Sequence, residues 1–309
     1  MTFGSFDSIC NKTALPLCSV VGSVNQTSYF NRGIVPECYA RSVELANTMI
    51  FQIGNAFVHF GSLIIMLIII YNVRAKYTAI GRTEMLFFYY TVIGLVISSL
   101  VVDCGVSPPS STSYAYFVAV QLGFAGSVCI SILYNGLLCF QFWEDGTRTS
   151  MWTVRILSAC WFIVNFIVSL VTFKSWNTSL DGRHTEALFV VSYVFNAVFI
   201  AAYLISQLIL VIFALRSFWS FGAIALGTFF FVAGQLITYQ FGDKICEGAS
   251  HYIDGLIFGS ACNTFALMMV YKYWDMITED DLEFSVANVE HGVAAFGVDD
   301  EKRASTIFN

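Results

Sequence analysis

Apolar residues in this chain come in blocks much longer than the stripe of an amphipathic helix. The first block runs from Asn47 to Tyr71 and includes Leu63–Ile70, which contains only Leu, Ile and Met. At about 1.5 Å rise per residue, a helix of that length covers roughly 30 Å of hydrocarbon. Six further apolar runs follow, at approximately 84–102, 114–141, 152–173, 187–214, 218–241 and 252–273. Each is long enough to span a bilayer, and the separations are short. The pattern predicts an all-α, polytopic membrane protein. It comprises a seven-transmembrane helix bundle over residues 47–273, a cap of residues 1–46 and a tail of residues 274–309.

The charges between the runs give the bundle an orientation. Arg74, Lys76 and Arg82 follow the first run with no acid among them. Basic residues at the carboxyl end of a first span hold that end in the cytosol. The amino terminus is therefore expected in the lumen and the carboxyl terminus in the cytosol. Later loops agree weakly: Arg148, Arg155, Arg216 and Lys272 join the cytosolic set, while Arg32, Arg41, Lys174, Arg183 and Lys244 lie opposite. Glycosylation sequons begin at Asn11, Asn25 and Asn177, and all three fall on the lumenal side of this topology. Residues 1–46 contain no apolar core of the length a cleavable signal needs, so the first span is expected to carry the amino terminus across.

Composition fits this picture. Of 309 residues, 57% are hydrophobic and 12% charged, about half the charge of a soluble domain, so most of the surface is expected to face membrane lipids. The formal charge of -6 resides in the tail, where acids from Asp275 to Glu301 outnumber bases, and no basic patch suggests nucleic acid. Past Glu283 the tail is polar and acidic and is expected to be largely disordered. Nine cysteines are present. Cys129, Cys139, Cys160 and Cys262 fall inside spans and read as small apolar residues. Cys10, Cys18 and Cys38 fall in the cap, which is expected to carry one disulfide. With Cys104 and Cys246 they make an odd lumenal set, whose pairing the sequence leaves open.

Candidate chemistry is sparse. His59 lies near mid-depth of the first span, Glu84 opens the second, and His251 and Asp254 open the seventh. Interfacial placement accounts for the last three, and an interhelical hydrogen bond accounts for His59. A lumenal metal site of His184, Glu186, His251 and Asp254, with lipid-hydrolase chemistry, needs about three converging ligands from a chain with four histidines. No metal or cofactor is expected. A retinal protein would need a lysine inside the last span, and residues 252–271 contain none. The motifs of a rhodopsin-like receptor are missing at the ends of the third and seventh spans, which weakens the alternative of an orphan receptor. All four prolines lie outside the spans. Gly255 and Gly259 form a Gly-x-x-x-Gly on the seventh span, and Ser192, Ala197 and Ala201 place small residues on the fifth, so close helix approach is expected there, internal or with a partner. Tyr271, Tyr273 and Trp274 form an interfacial anchor. Asp281-Leu282-Glu283 fits the acid-x-acid pattern that export coat proteins read.

Several stretches together carry a resemblance. Phe6-Asp-Ser-Ile-Cys10, Leu15-Pro-Leu-Cys18, Phe51-Gln-Ile-Gly-Asn-Ala-Phe-Val-His59, Arg74-Ala-Lys-Tyr-Thr-Ala-Ile-Gly-Arg82 and Trp274-Asp-Met-Ile-Thr-Glu-Asp-Asp-Leu-Glu-Phe284 resemble the fungal chitin synthase export chaperone family, over residues 1–284. The resemblance implies a seven-span, non-enzymatic protein of the endoplasmic reticulum membrane. Such a protein would bind a chitin synthase, prevent its misassembly and permit its export to the surface, with travel alongside the client left open. A stable activating subunit of the synthase is the nearest alternative. Gly255, Gly259, Asp281, Leu282 and Glu283 are the expected partner contacts.

Overall fold

The computed structural model describes residues 4–22, 33–45, 48–77, 79–109, 111–140, 144–176, 182, 184–215 and 217–278. The expectations for Asn25, Asn177 and the tail beyond Thr278, with Asp281, Leu282 and Glu283, lie outside these residues.

The amino-terminal segment folds into a short helix α1 (Asp7–Lys12), a 3-10 turn (Pro16–Ser19) and an antiparallel ribbon of β1 (Val43–Leu45) and β2 (Thr48–Ile50), in which Val43 faces Ile50. Long helices follow: α2 (Ile53–Ala75), α3 (Arg82–Asp103), α4 (Tyr114–Leu138) and α5 (Arg148–Lys174). Next, α6 (Glu186–Phe189) and α7 (Phe195–Ile209) join through a π-helical turn, Val190–Val194, into one rod reaching Phe213. Then come α8 (Phe218–Gln240), the short α9 (Gly242–Gly248), and a last helix over residues 255–278, here α10. Six of these rods, α2 to α5, Glu186–Phe213 and α8, are long and apolar enough to cross a membrane among the described residues. The chain is a multi-pass helical membrane protein.

The first helix starts at Ile53, later than the apolar run suggests. Thr48–Ile50 pairs with Val43–Leu45 instead, and Gln52 has non-helical dihedrals and donates its side-chain amide to Ala14 O at 2.7 Å. The ribbon therefore straddles the expected boundary between cap and bundle. Thr147 starts α5 four residues before the apolar run, because its hydroxyl accepts from Ser150 N at 3.2 Å and caps the helix.

The cap sits on one end of the bundle as its plug. Phe6, Cys10, Leu17, Cys18 and Val21 share a buried cluster with Val102, Tyr114, Val118, Leu170, Phe173 and Leu188, the near ends of α3, α4, α5 and α6. Burying each large apolar side chain there stabilises the fold by roughly 1.5–3 kcal/mol. Thr13 donates to Thr238 O at 2.6 Å, and Thr185 donates to Gly4 O at 2.9 Å, which extends the plug to α8 and α6.

Within the bundle, α4 and α5 pack closely because Gly126 has no side chain. A Cβ there would lie 2.6 Å from Asn165 Nδ2. Gly255 and Gly259 serve the same purpose within the chain. A Cβ on Gly255 would lie 2.7 Å from Gly242 Cα, and one on Gly259 would collide with Thr238 Oγ1. Both glycines are buried, so the close approach expected there is internal, and neither offers a surface to a partner. On the fifth span Ser192 and Asn196 are buried, whereas Ala197 and Ala201 are exposed. Of the three small residues expected to pack there, only Ser192 lies on the buried face.

Candidate functional site

The arrangement that distinguishes this bundle is a set of polar side chains buried between its helices. Near the Arg82 end of α3, in its first turn, Glu84 is fully buried. Its carboxylate accepts from Thr83 Oγ1 at 2.7 Å, from Ser150 Oγ at 2.7 Å and from Gly146 N at 3.0 Å. Tyr134 of α4 reaches the same point, donating to Ser150 O at 3.2 Å. Removing a carboxylate from water costs several kcal/mol unless donors replace the lost hydration. Here three donors from α3, the 144–147 turn and α5 supply that replacement, so Glu84 fastens three segments together.

A second cluster lies near the capped end. Asn55 of α2 donates to Asp103 Oδ2 at 2.8 Å, and His59 Nε2 lies 3.4 Å from the same oxygen. Ser260 of α10 donates to Asn55 Oδ1 at 2.6 Å. Asn55 and His59 stand one turn apart, so the i,i+4 spacing delivers both to one face of α2. Asp254, just ahead of α10, is also buried, and its carboxylate faces the backbone amides of Leu256 and Ile257 without a well-aligned hydrogen bond to either oxygen among the described residues. Burial pushes the Asp254 carboxyl up from its ordinary value, tempered by backbone amides at the start of α10.

Further polar contacts bind α10 to the other helices. Tyr89 donates to Leu267 O at 3.0 Å, Tyr273 to Gln207 Oε1 at 3.0 Å, and Trp274 Nε1 to Ile80 O at 3.1 Å. Lys76 and Lys272 both pair with Asp275. Tyr273 and Trp274 are thus buried, not a lipid-facing anchor. Gln207 also donates to Gly136 O at 3.0 Å. A cavity of about 300 Å³ opens beside it, lined by Asn135, Gly136, Tyr203, Gln207, Tyr273 and Trp274. A second cavity, of about 310 Å³, lies between cap and bundle, lined in part by Leu15, Pro36, Tyr39, Phe51, Gln52 and Asp103.

The four residues of the suggested metal site do not come together. Among the described residues, the only group of three donors within 4.8 Å of one another is Cys38, Cys246 and His251. Its two sulfurs form a disulfide, which joins the cap to α9. A second disulfide, Cys10–Cys18, lies within the cap. Cys104, Cys129, Cys160 and Cys262 are in no disulfide, and Cys139 Sγ lies 3.7 Å from Asn135 O. Asn11 is exposed on α1. Asp103, Asn55, Gln207 and Asn165 went unmarked in the sequence. Asparagine and glutamine inside apolar runs were the available signal, because an amide in hydrocarbon must find a partner.

These contacts define a polytopic helical membrane protein whose buried polar groups serve largely to hold its own helices in fixed register. The profile of the chitin synthase export chaperone family matches residues 2–288, and the chain belongs to that family. It is 75% identical over 309 residues to a chitin synthase export chaperone of Debaryomyces hansenii, covering 100% of both chains. It is 72% identical to the one of Candida albicans, again over 100% of both. With the protein of that name from Saccharomyces cerevisiae it shares 51% over 307 residues, which is 94% of this chain and 97% of the relative. No solved structure matches. By family the chain is a chaperone, not an enzyme.

Proposed function

We propose that this chain resides in the endoplasmic reticulum membrane, binds a chitin synthase there, assists its folding and enables its export to the cell surface for cell-wall chitin synthesis. The observation that carries the reading is full-length identity of 51% to 75% with proteins named chitin synthase export chaperone. The geometry is consistent with it. A bundle whose carboxylates and amides are largely engaged by its own chain keeps one shape, as suits a partner for another membrane protein.

In this reading α10 is the seventh span, with the amino terminus lumenal and the carboxyl terminus cytosolic. Both disulfides and the exposed Asn11 lie at the capped end, and the lumen is where disulfides and glycans form. Lys76 and Lys272 lie at the opposite end, as cytosolic bases should. Asn11, Asn25 and Asn177 are proposed glycan acceptors, and Asp281, Leu282 and Glu283 the proposed contact for client or export coat.

The test is the location of a tagged chitin synthase in fungal cells with and without this chain. Retention of the synthase in the endoplasmic reticulum when the chain is absent is the expected result. Arrival at the surface without chitin synthesis would instead make the chain an activating subunit. Normal delivery with normal activity would overturn both readings.

A further inference from the structure

The disulfide that joins the cap to α9 is not an isolated staple, because an imidazole is aimed at it. His251 Nδ1 lies 3.2 Å from Cys38 Sγ and 3.8 Å from Cys246 Sγ. The same nitrogen is 3.3 Å from Tyr39 O. His251 itself is exposed, while both sulfurs are buried beneath it. The backbone that delivers the ring is strained. Ser250 has φ +53 and His251 φ +65, a left-handed pair that side-chain-bearing residues adopt at a cost. Three bonds hold this turn: Ser250 N to Glu247 O at 3.1 Å, His251 N to Cys246 O at 3.0 Å and Arg41 N to His251 O at 2.9 Å. A glycine or asparagine would meet the turn with less strain.

We propose that Cys38, Cys246 and His251 form a thiol–disulfide exchange site, in which His251 assists departure of the Cys38 sulfur. The co-reactant is a dithiol, such as the reduced pair of a lumenal oxidoreductase. One of its thiolates attacks Cys246 Sγ. A bond forms between that sulfur and the incoming one, the Cys38–Cys246 bond breaks, and the electron pair leaves on Cys38 Sγ. The imidazole Nδ1–H, which is nearer to Cys38 than to Cys246, donates a hydrogen bond to that thiolate, so Cys38 is the preferred leaving group. The second thiol of the reagent then displaces Cys246, and the dithiol ends as a disulfide while both cysteines end as thiols. The reverse sequence closes the site. Opening releases residues 33–45 from the α9 turn, the only disulfide tie between the cap and the rest of the chain among the described residues.

Cys10–Cys18 supplies a reference within the same molecule, since it is equally buried and is not among the contacts of His251. The purified full chain is treated with dithiothreitol at several pH values, and each cysteine pair is followed by alkylation and mass spectrometry. Rates are divided by the concentration of reagent thiolate. The expected result is that Cys38–Cys246 opens faster than Cys10–Cys18. His251→Asn tolerates positive φ and keeps the turn, yet cannot supply the proton. It should slow opening of Cys38–Cys246 roughly three- to tenfold and leave Cys10–Cys18 unchanged. His251→Gln, a second variant without a titrating ring, should behave the same way. Equal rates in wild type and both variants, or a Cys38–Cys246 pair that opens no faster than Cys10–Cys18, would overturn the proposal.

Discussion

Asp254 and Glu84 are both buried acids, and they lead to opposite expectations. Burial raises the Asp254 carboxyl, so the folded chain favours its protonated form. The corresponding stabilisation is complete below the ordinary carboxylate range and is lost as pH rises through the raised value. Asp254→Asn removes the ionisable group and keeps a side chain suited to the position before a helix. The variant should melt about 2–4 °C above wild type near pH 7.5, with the gain vanishing near about pH 4, measured by thermal unfolding in detergent. Glu84, by contrast, is satisfied by Thr83, Gly146 and Ser150. Glu84→Ala should cost on the order of 3 kcal/mol, because buried donors lose their acceptor. Glu84→Gln should cost less, and the same melting measurement orders the two. The sequence marked Glu84 and Asp254 as ionisable groups beside apolar runs but placed them at the interface. What it lacked was the partner: Ser150 lies 66 positions from Glu84, and nothing local announces that contact.

At the scale of elements, α10 is the hub. It bonds to α2 through Ser260, to α3 through Leu267 and to α7 through Tyr273. It presses on α8 where Gly259 meets Thr238. Gly259→Leu should therefore lower stability by at least about 1–3 kcal/mol and reduce the folded yield in membranes. An exposed position on the same helix, Phe258→Leu, should change little. Long apolar runs located the rods to within a few residues, since a bilayer-length block has few alternatives. The β1–β2 ribbon and α9 were not legible. Thr48-Met-Ile-Phe reads as part of the first apolar block, and only pairing with Val43–Leu45 turns it into a strand. Cysteine spacing likewise left open which cap residue would reach across to α9.

For the whole molecule, the two disulfides differ most in the length of chain they close. Cys38–Cys246 spans 208 positions and Cys10–Cys18 spans 8. In the chain-entropy account the longer closure is worth about 5 kcal/mol and the shorter about 2.5, both being upper figures when the spans stay inserted after unfolding. Cys38→Ser should thus lower the melting temperature more than Cys10→Ser, measured side by side.

The same span sets an order of events as the chain is made. Residues 4–45 leave the ribosome first, yet their seats on α8 and α9 are among the last parts synthesised. At about 5–20 residues per second, Cys38 waits roughly 10–40 s for Cys246. Phe6, Leu17 and Val21 lack their socket until Leu188 has been made, and Cys104 arrives well before the proper mate. The covalent closure of the plug can follow only once α9 has been made, so it records that translation has passed Cys246.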